Sequence, residues 1–348
     1  MALTMKSTLM MSAAPHIKTL DNTKNIMLDV IIALTFPLIM GVFFFGTNAL
    51  LLVFVAVVSA VLFEFLYCKL LKKPTSTGDL SAVVTGMLVA FNVPATVPIW
   101  LVVVGSFFAI IIVKCLYGGI GKNFLNPALA ARAFLISWPA LMSVWPNPSG
   151  LFQSAASVAA TAADAVTKAT PLMEMKAGIL PNIPIGTMFL GRVSGCIGET
   201  STIVLIMAGL YLLIRRIITI HVPLSYIATV AVLTFIFPKN DNSRLAWMTY
   251  NLFSGGLMLG AIFMATDYAT SPITRTGKVI FGIGCGMLTV FFRYFGKTPE
   301  GVTYAILIMN CCVWVIDRYL PVRRFGVKRK PFEKKKKPAR PEKKEAQA

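Results

Sequence analysis

A threonine hydroxyl ahead of a proline is the group in this chain best suited to covalent attachment. The stretch Asp164-Ala165-Val166-Thr167-Lys168-Ala169-Thr170-Pro171-Leu172 places an acid, small residues and two hydroxyls before Pro171. Proline disfavours helix at the residue preceding it, so Thr170 is expected in an extended or turn segment. An exposed hydroxyl there can be esterified, although an ordinary solvated loop has the same composition. Asn123 and Asn126 stand three apart, a spacing that puts two side chains on one helix face. Each amide both donates and accepts. Asn126 before Pro127 is equally a favoured helix start. Glu64, Glu199 and Asp267 lie in or at the ends of apolar runs. A charge at a bilayer centre costs at least about 2.5 kcal/mol, so such acids usually face a cavity or an ion path. Asp267 is the preferred ion-path candidate, with pairing to Arg275 at the membrane edge as the alternative.

The elements that must hold these residues are membrane spans. Of 348 residues, 56% are hydrophobic and 14% charged. Soluble domains carry about 25% charged residues. Lipid is the solvent that tolerates the difference. The net charge of +19 is no nucleic-acid signature, because twelve Lys/Arg against three Asp/Glu fall in the low-complexity tail from Pro321 onward. The remainder sits in short loops. The tail, residues 321–348, suits anionic lipid or a cytoplasmic partner. Six cysteines without a C-x-x-C pair, and two histidines, give no metal or cluster pattern. No Gly-rich loop follows a strand, so neither NAD nor an iron–sulfur cluster is expected on this chain. The first residues do not form a cleavable signal peptide.

Reading apolar runs between breakers gives about ten spans of the length a bilayer requires. They are 26–46, 48–67, 79–93, 98–117, 126–143, 196–214, 222–237, 247–266, 278–295 and 301–319. The third is short and interrupted by Asn92, Pro94 and Pro98, as in a broken helix. Lys69, Lys72, Lys73, Lys114, Lys122, Arg215, Arg216, Arg275, Lys278 and the residues from Arg323 fall on one side if both termini are cytoplasmic. Residues 144–195 then form an extracytoplasmic loop. Gly86–Pro98 and Gly260–Pro272 share their glycines, Thr96/Thr270 and Pro98/Pro272 at an offset of 174. Five spans separate the copies, so they run in opposite directions. The expected fold is all-α, with membrane repeats over 26–143 and 196–320 in inverted topology and a site near their broken helices.

The segment before Pro171 resembles the D-x-x-[S/T]-G-A-T flavinylation signal of two related proteins: the D subunit of Rnf complexes and the B subunit of sodium-pumping NADH:quinone oxidoreductases. Asp164, Thr167, Ala169 and Thr170 carry that likeness, while Lys168 stands where the family has Gly. A lysine can attract a phosphate but gives up the backbone freedom of glycine. Two further blocks agree: Gly121-Lys122-Asn123-Phe124-Leu125-Asn126-Pro127-Ala128 with Ala131-Arg132-Ala133-Phe134, and Met264-Ala265-Thr266-Asp267 with Pro299-Glu300-Gly301. The resemblance covers nearly the whole chain outside the tail, and overall length favours the Rnf protein over the quinone-reducing one.

What the resemblance implies is a flavoprotein subunit of a bacterial plasma-membrane complex. FMN would be joined through its phosphate to Thr170 by a separate flavin transferase. A noncovalent riboflavin would sit near Asn123 and Asn126. Electrons would pass between ferredoxin and NAD⁺ through neighbouring subunits, coupled to sodium or proton movement. Two rival readings come from the residues themselves. One is a channel or transporter without redox chemistry, which an inverted repeat fits equally well. The other is a passive scaffold subunit that leaves the motif unused.

Overall fold

The computed structural model describes residues 22–73, 76–146, 148, 170–199, 201–240, 242–296 and 300–321. Asp164, Thr167 and Ala169, and the tail from residue 322, lie outside the described residues. Among the described residues the fold is entirely helical. Helices α1 (Thr23–Phe45) and α2 (Thr47–Leu70) are joined at Gly46, whose φ of +75° glycine adopts without strain. Pro37 sits inside α1 and cannot donate to the Ala33 carbonyl one turn back. Helix α3 (Ser81–Phe91) stops at Asn92, and the chain crosses to α4 (Ile99–Phe107) through a turn holding Pro94 and Pro98. Helix α4 continues as a π-helical stretch, Phe108–Cys115. Then follow α5 (Pro127–Leu135), α6 (Pro139–Met142), α7 (Pro171–Lys176), α8 (Ile185–Leu190), α9 (Thr202–Ile214) and α10 (His221–Ile236). Helix α11 (Arg244–Phe253) breaks before α12 (Leu257–Leu259), which runs on as a π-helical turn, Gly260–Met264. The chain closes with α13 (Arg275–Phe295) and α14 (Val302–Tyr319).

Each apolar run read from the sequence is helical. Four helices, α1, α2, α13 and α14, are long and apolar enough to cross a membrane, and four shorter apolar stretches accompany them. The structure differs from the expectation in three runs, one of them 196–214, where a 3₁₀ turn over Ile197–Glu199 stands apart from the helix that starts at Thr202. The run 126–143 splits at Ser137–Trp138, before Pro139, and 247–266 splits at Ser254-Gly255-Gly256. Proline has no N–H to donate, and Gly255 turns at φ +66°. Large apolar side chains such as Ile39, Phe54, Leu70 and Ile214 remain exposed on outer faces. Lipid is their solvent, so this is a multi-pass membrane protein.

Helix pairs in lipid approach closely through small residues. A Cβ on Gly86 would lie 2.8 Å from the Ala56 carbonyl oxygen and from Val57 Cα of α2. One on Gly282 would lie 2.9 Å from the Val222 carbonyl oxygen of α10. Gly86→Ala is therefore expected to push α2 and α3 apart, at about 1–3 kcal/mol. A lowered unfolding temperature in detergent checks this; an unchanged one would show that the helices yield freely.

The two repeat copies mark equivalent events. The first contains the end of α3 and the turn after it; the second contains the end of the π-helical turn and the turn that follows. These ends meet inside the bundle. Asn92 Nδ2 lies 3.8 Å from Met264 Sδ, and Asn126 Nδ2 donates to the Met264 carbonyl at 3.1 Å.

Candidate functional site

Thr170 leads α7 in an extended conformation, φ −65° and ψ 149°, as the following proline dictates. Its carbonyl accepts from the Met173 and Glu174 amides, while its hydroxyl makes no capping bond. Leu172 and Met175 bury α7 against Trp247 of α11, which fixes Thr170 relative to the bundle. The expected exposure of Thr170 is corrected: it is 8% exposed, because α7 packs it inward, and it edges a cleft of about 20 Å³ bounded also by Met188, Glu199, Gly255 and Glu300. That volume holds about one water. A hydroxyl here can serve as a point of attachment, but any organic group joined to it would have to lie outside the cleft.

Behind the cleft lies a buried ion cluster drawn from both halves of the chain. Arg132 of α5 donates to Asn92 Oδ1 at 2.7 Å and to Glu199 Oε1 at 3.1 Å. It also pairs with Glu300 and lies 3.6 Å from Cys196 Sγ. Cys196 in turn donates to the Asn92 carbonyl. The three ligand-type atoms of Cys196, Glu199 and Glu300 come close together, but the Arg132 guanidinium already occupies their midst. The cluster is an ion network and not a vacant metal cage.

The second site is a cavity of about 480 Å³ at the other end of α9. The Thr170 cleft touches Gly195 and Glu199 before α9, whereas the cavity touches Leu212 and Ile217 at its far end. Thirteen helical residues between them span about 20 Å. The walls are mainly apolar, from Ile26, Met27 and Val30 of α1, Leu88 of α3, and Phe263. A few polar groups converge on it: Thr85, Lys114, Asn123, Asn126, Thr266 and Asp267. Size and lining match a site for a small organic ligand, of roughly 300–1,000 Å³.

Asn126 does two jobs at once. Its Oδ1 accepts from the Ala128 and Leu129 amides, capping α5, while its Nδ2 reaches Met264. Asn123 precedes the helix and donates to the Leu125 carbonyl, so the two asparagines line one cavity without sharing a helix face. With its amide oriented to satisfy both atoms, Asn310 of α14 donates to the Thr270 carbonyl and accepts from the Asn126 amide. Asp267 accepts from the Ala269 amide at 3.5 Å and from Thr270 Oγ1 at 3.3 Å. Among the described residues it joins no ion pair, which corrects the alternative of pairing with Arg275.

Glu64 and Glu199 are not solitary. Glu64 pairs with Lys114 at 2.9 Å, and Lys114 also donates to Ser81. The π-helical register of Phe108–Cys115 brings Lys114 inward, so its assignment as a loop charge is corrected: it is 3% exposed. Sequence reasoning passed over the partners Arg132, Glu300, Asn92 and Lys114. The signal available was a basic residue in or beside an apolar run.

Fold and sites together define a multi-pass membrane protein with a buried ion network, an extended threonine at the head of a short helix and a ligand-sized cavity, the two latter at opposite ends of α9. A family model described as NQR2, RnfD, RnfE matches residues 10–326, and the chain belongs to that family. It is 45% identical over 323 residues to the D subunit of the Na(+)-translocating ferredoxin:NAD(+) oxidoreductase complex of Acetobacterium woodii, covering 92% of this chain and 96% of that one. It is 38% identical over 334 residues to the D subunit of the proton-translocating ferredoxin:NAD(+) oxidoreductase complex of Clostridium ljungdahlii, covering 93% and 98%. The D subunit of the ion-translocating oxidoreductase complex of Rhodobacter capsulatus is 39% identical over 310 residues, covering 83% and 86%.

Proposed function

We propose that this chain is the D subunit of an ion-translocating ferredoxin:NAD⁺ oxidoreductase complex, carrying FMN joined through phosphate to Thr170 and riboflavin in the cavity beside Asn123 and Asn126. The observation that carries this reading is the pairing of an extended threonine at one end of α9 with a cavity of about 480 Å³ at the other. The names of full-length relatives support the complex. Flavin supplies one- and two-electron chemistry, and the protein supplies position and electrostatics. Thr170 would tether one group, so that it stays at high local concentration. Asn123 and Asn126 would present amide donors and acceptors to the ring edge of the other. A separate flavin transferase makes the ester, so no activating base is needed beside Thr170. In this reading both termini are cytoplasmic, Thr170 faces the outside of the plasma membrane, and the other Rnf subunits surround the lipid-facing helices.

Mass spectrometry of the peptide containing Thr170, from the complex made in a host with the transferase, tests the anchor. An added FMN phosphoester on Thr170 is the expected result, and a bare peptide would remove the reading.

Relatives carry sodium in one name and proton in another. The ion path is assigned to Asp267, with Glu64 and Glu199 held in ion pairs along the bundle. Asp267→Asn is expected to cut ion transport per electron by about tenfold in proteoliposomes while flavin content holds. Full transport by this variant would take Asp267 out of the path.

A further inference from the structure

The helix that follows Thr170 rests on a small cluster of its own. Leu172 and Met175 of α7 are buried with Trp247 of α11, in a group separate from the main core of the bundle. Side chains from the segment between α10 and α11 fasten the end of α7. Lys239 Nζ donates to the Lys176 carbonyl at 2.9 Å. The Asn240 and Asn242 amides both donate to the Gly178 carbonyl at 3.0 Å. A satellite cluster held by a few such bonds can open while the core stays folded. Helix α7 has six residues, a length at which a helix does not persist alone in water. Lifted off Trp247, the segment loses its helical turn, and Pro171 keeps Thr170 extended in both states.

The docked state has no room for the reaction that would load Thr170. The residue is 8% exposed, and the cleft beside it measures about 20 Å³. That is space for about one water. A phosphoester forms from an activated phosphate, here flavin adenine dinucleotide held by the transferase. Thr170 Oγ bonds to the phosphorus on the FMN side, the pyrophosphate bond breaks and AMP leaves. The hydroxyl proton passes to water, and no electron moves. The phosphorus must first come within about 3–3.5 Å of Oγ, with the rest of the dinucleotide and a second enzyme behind it. A one-water cleft admits none of these.

We propose that the transferase takes Thr170 only while α7 is lifted off Trp247, so that docking of α7 closes the attachment site. The inference rests on the reading of Thr170 as the flavin anchor. Lys239, Asn240 and Asn242 stand far along the chain from the sequence that surrounds Thr170, so changing them leaves that sequence as it is. They set how much of the time α7 is lifted. When lifting is fast relative to ester formation, the labelling rate follows the open fraction.

The test starts from the complex made in a host without the transferase and then supplied with purified transferase and flavin adenine dinucleotide. Covalent flavin is followed over time by in-gel fluorescence of denatured samples, with the Thr170→Val complex as the blank. Asn240→Gly combined with Asn242→Ala removes both donors to Gly178, and glycine readily adopts the φ of +55° at position 240. This variant is expected to be labelled at least tenfold faster than wild type, equivalent to about 1.4 kcal/mol of easier opening. The unfolding temperature of the bundle is expected to hold. If the double variant does not assemble, Lys239→Met, which removes the donor to Lys176, carries the same comparison. Labelling at the wild-type rate in the assembled variant overturns this inference alone. A Thr170 peptide that stays bare in every form, including the complex made alongside the transferase, removes the anchor reading and this inference with it.

Discussion

Thr170→Val is expected to abolish covalent flavin on this protein while leaving the fold intact. Valine keeps the β-branched shape of threonine and adopts the same extended conformation. The Thr170 hydroxyl caps nothing at the head of α7, so its loss removes no helix-stabilising bond. The helix keeps its place through Leu172 and Met175 against Trp247, contacts that valine at position 170 does not touch. The effect on flavin is all or none, because a phosphoester needs an oxygen. In-gel fluorescence of the denatured protein should therefore drop from a clear band to background, with unchanged elution of the native complex. A fluorescent Val variant would place the flavin on another residue. A non-fluorescent wild type beside an active complex would support the scaffold reading. Thr170→Ser separates the two requirements, since it restores the oxygen but loosens the side chain.

The second large effect is expected from Arg132→Leu. Arg132 is 5% exposed and holds two carboxylates, Glu199 and Glu300, from the far half of the chain. Leucine leaves those acids without a counter-charge. Breaking a buried pair by removing one partner costs about 3–5 kcal/mol. Most of that falls on Glu199, whose side chain is 4% exposed; the Glu300 side chain, at 20%, keeps some access to water. Asn92 also loses its donor, at the turn where α3 is broken. The variant is expected to unfold at clearly lower temperature in detergent. Adding Glu300→Gln to Arg132→Leu should recover part of the loss, because one stranded charge is removed. Equal unfolding temperatures for wild type and Arg132→Leu would mean that water already screens the cluster.

Much of the helical layout was legible in the sequence because hydropathy is a local property. Runs such as 26–46 and 48–67 are apolar from end to end, and Gly46 between them marks the turn. The extended state of Thr170 was equally local, fixed by Pro171. The internal breaks of the runs 126–143 and 247–266 were missed although Pro139 and the Gly255-Gly256 pair were present, since apolar content outweighed the breakers in a span-length window. The ion cluster was not legible, because Arg132 and Glu199 stand 67 residues apart. Arg132 and Glu300 could be quoted as parts of separate blocks, yet nothing in either block says that they touch.

The proline inside α1 bears on how the cavity fills. Upstream of Pro37, Ile26, Met27 and Val30 form one wall of that space, and Asp29 is tied to Tyr211 and Arg215 at the end of α9. Downstream, Gly41 presses on Ile197 and holds its part of the rod in place. With one backbone bond missing between them, α1 is least stiff at Pro37. The cavity wall is therefore braced from two sides of that weak point: by the Asp29 carboxylate on α9 at one end and by the close seat of Gly41 at the other.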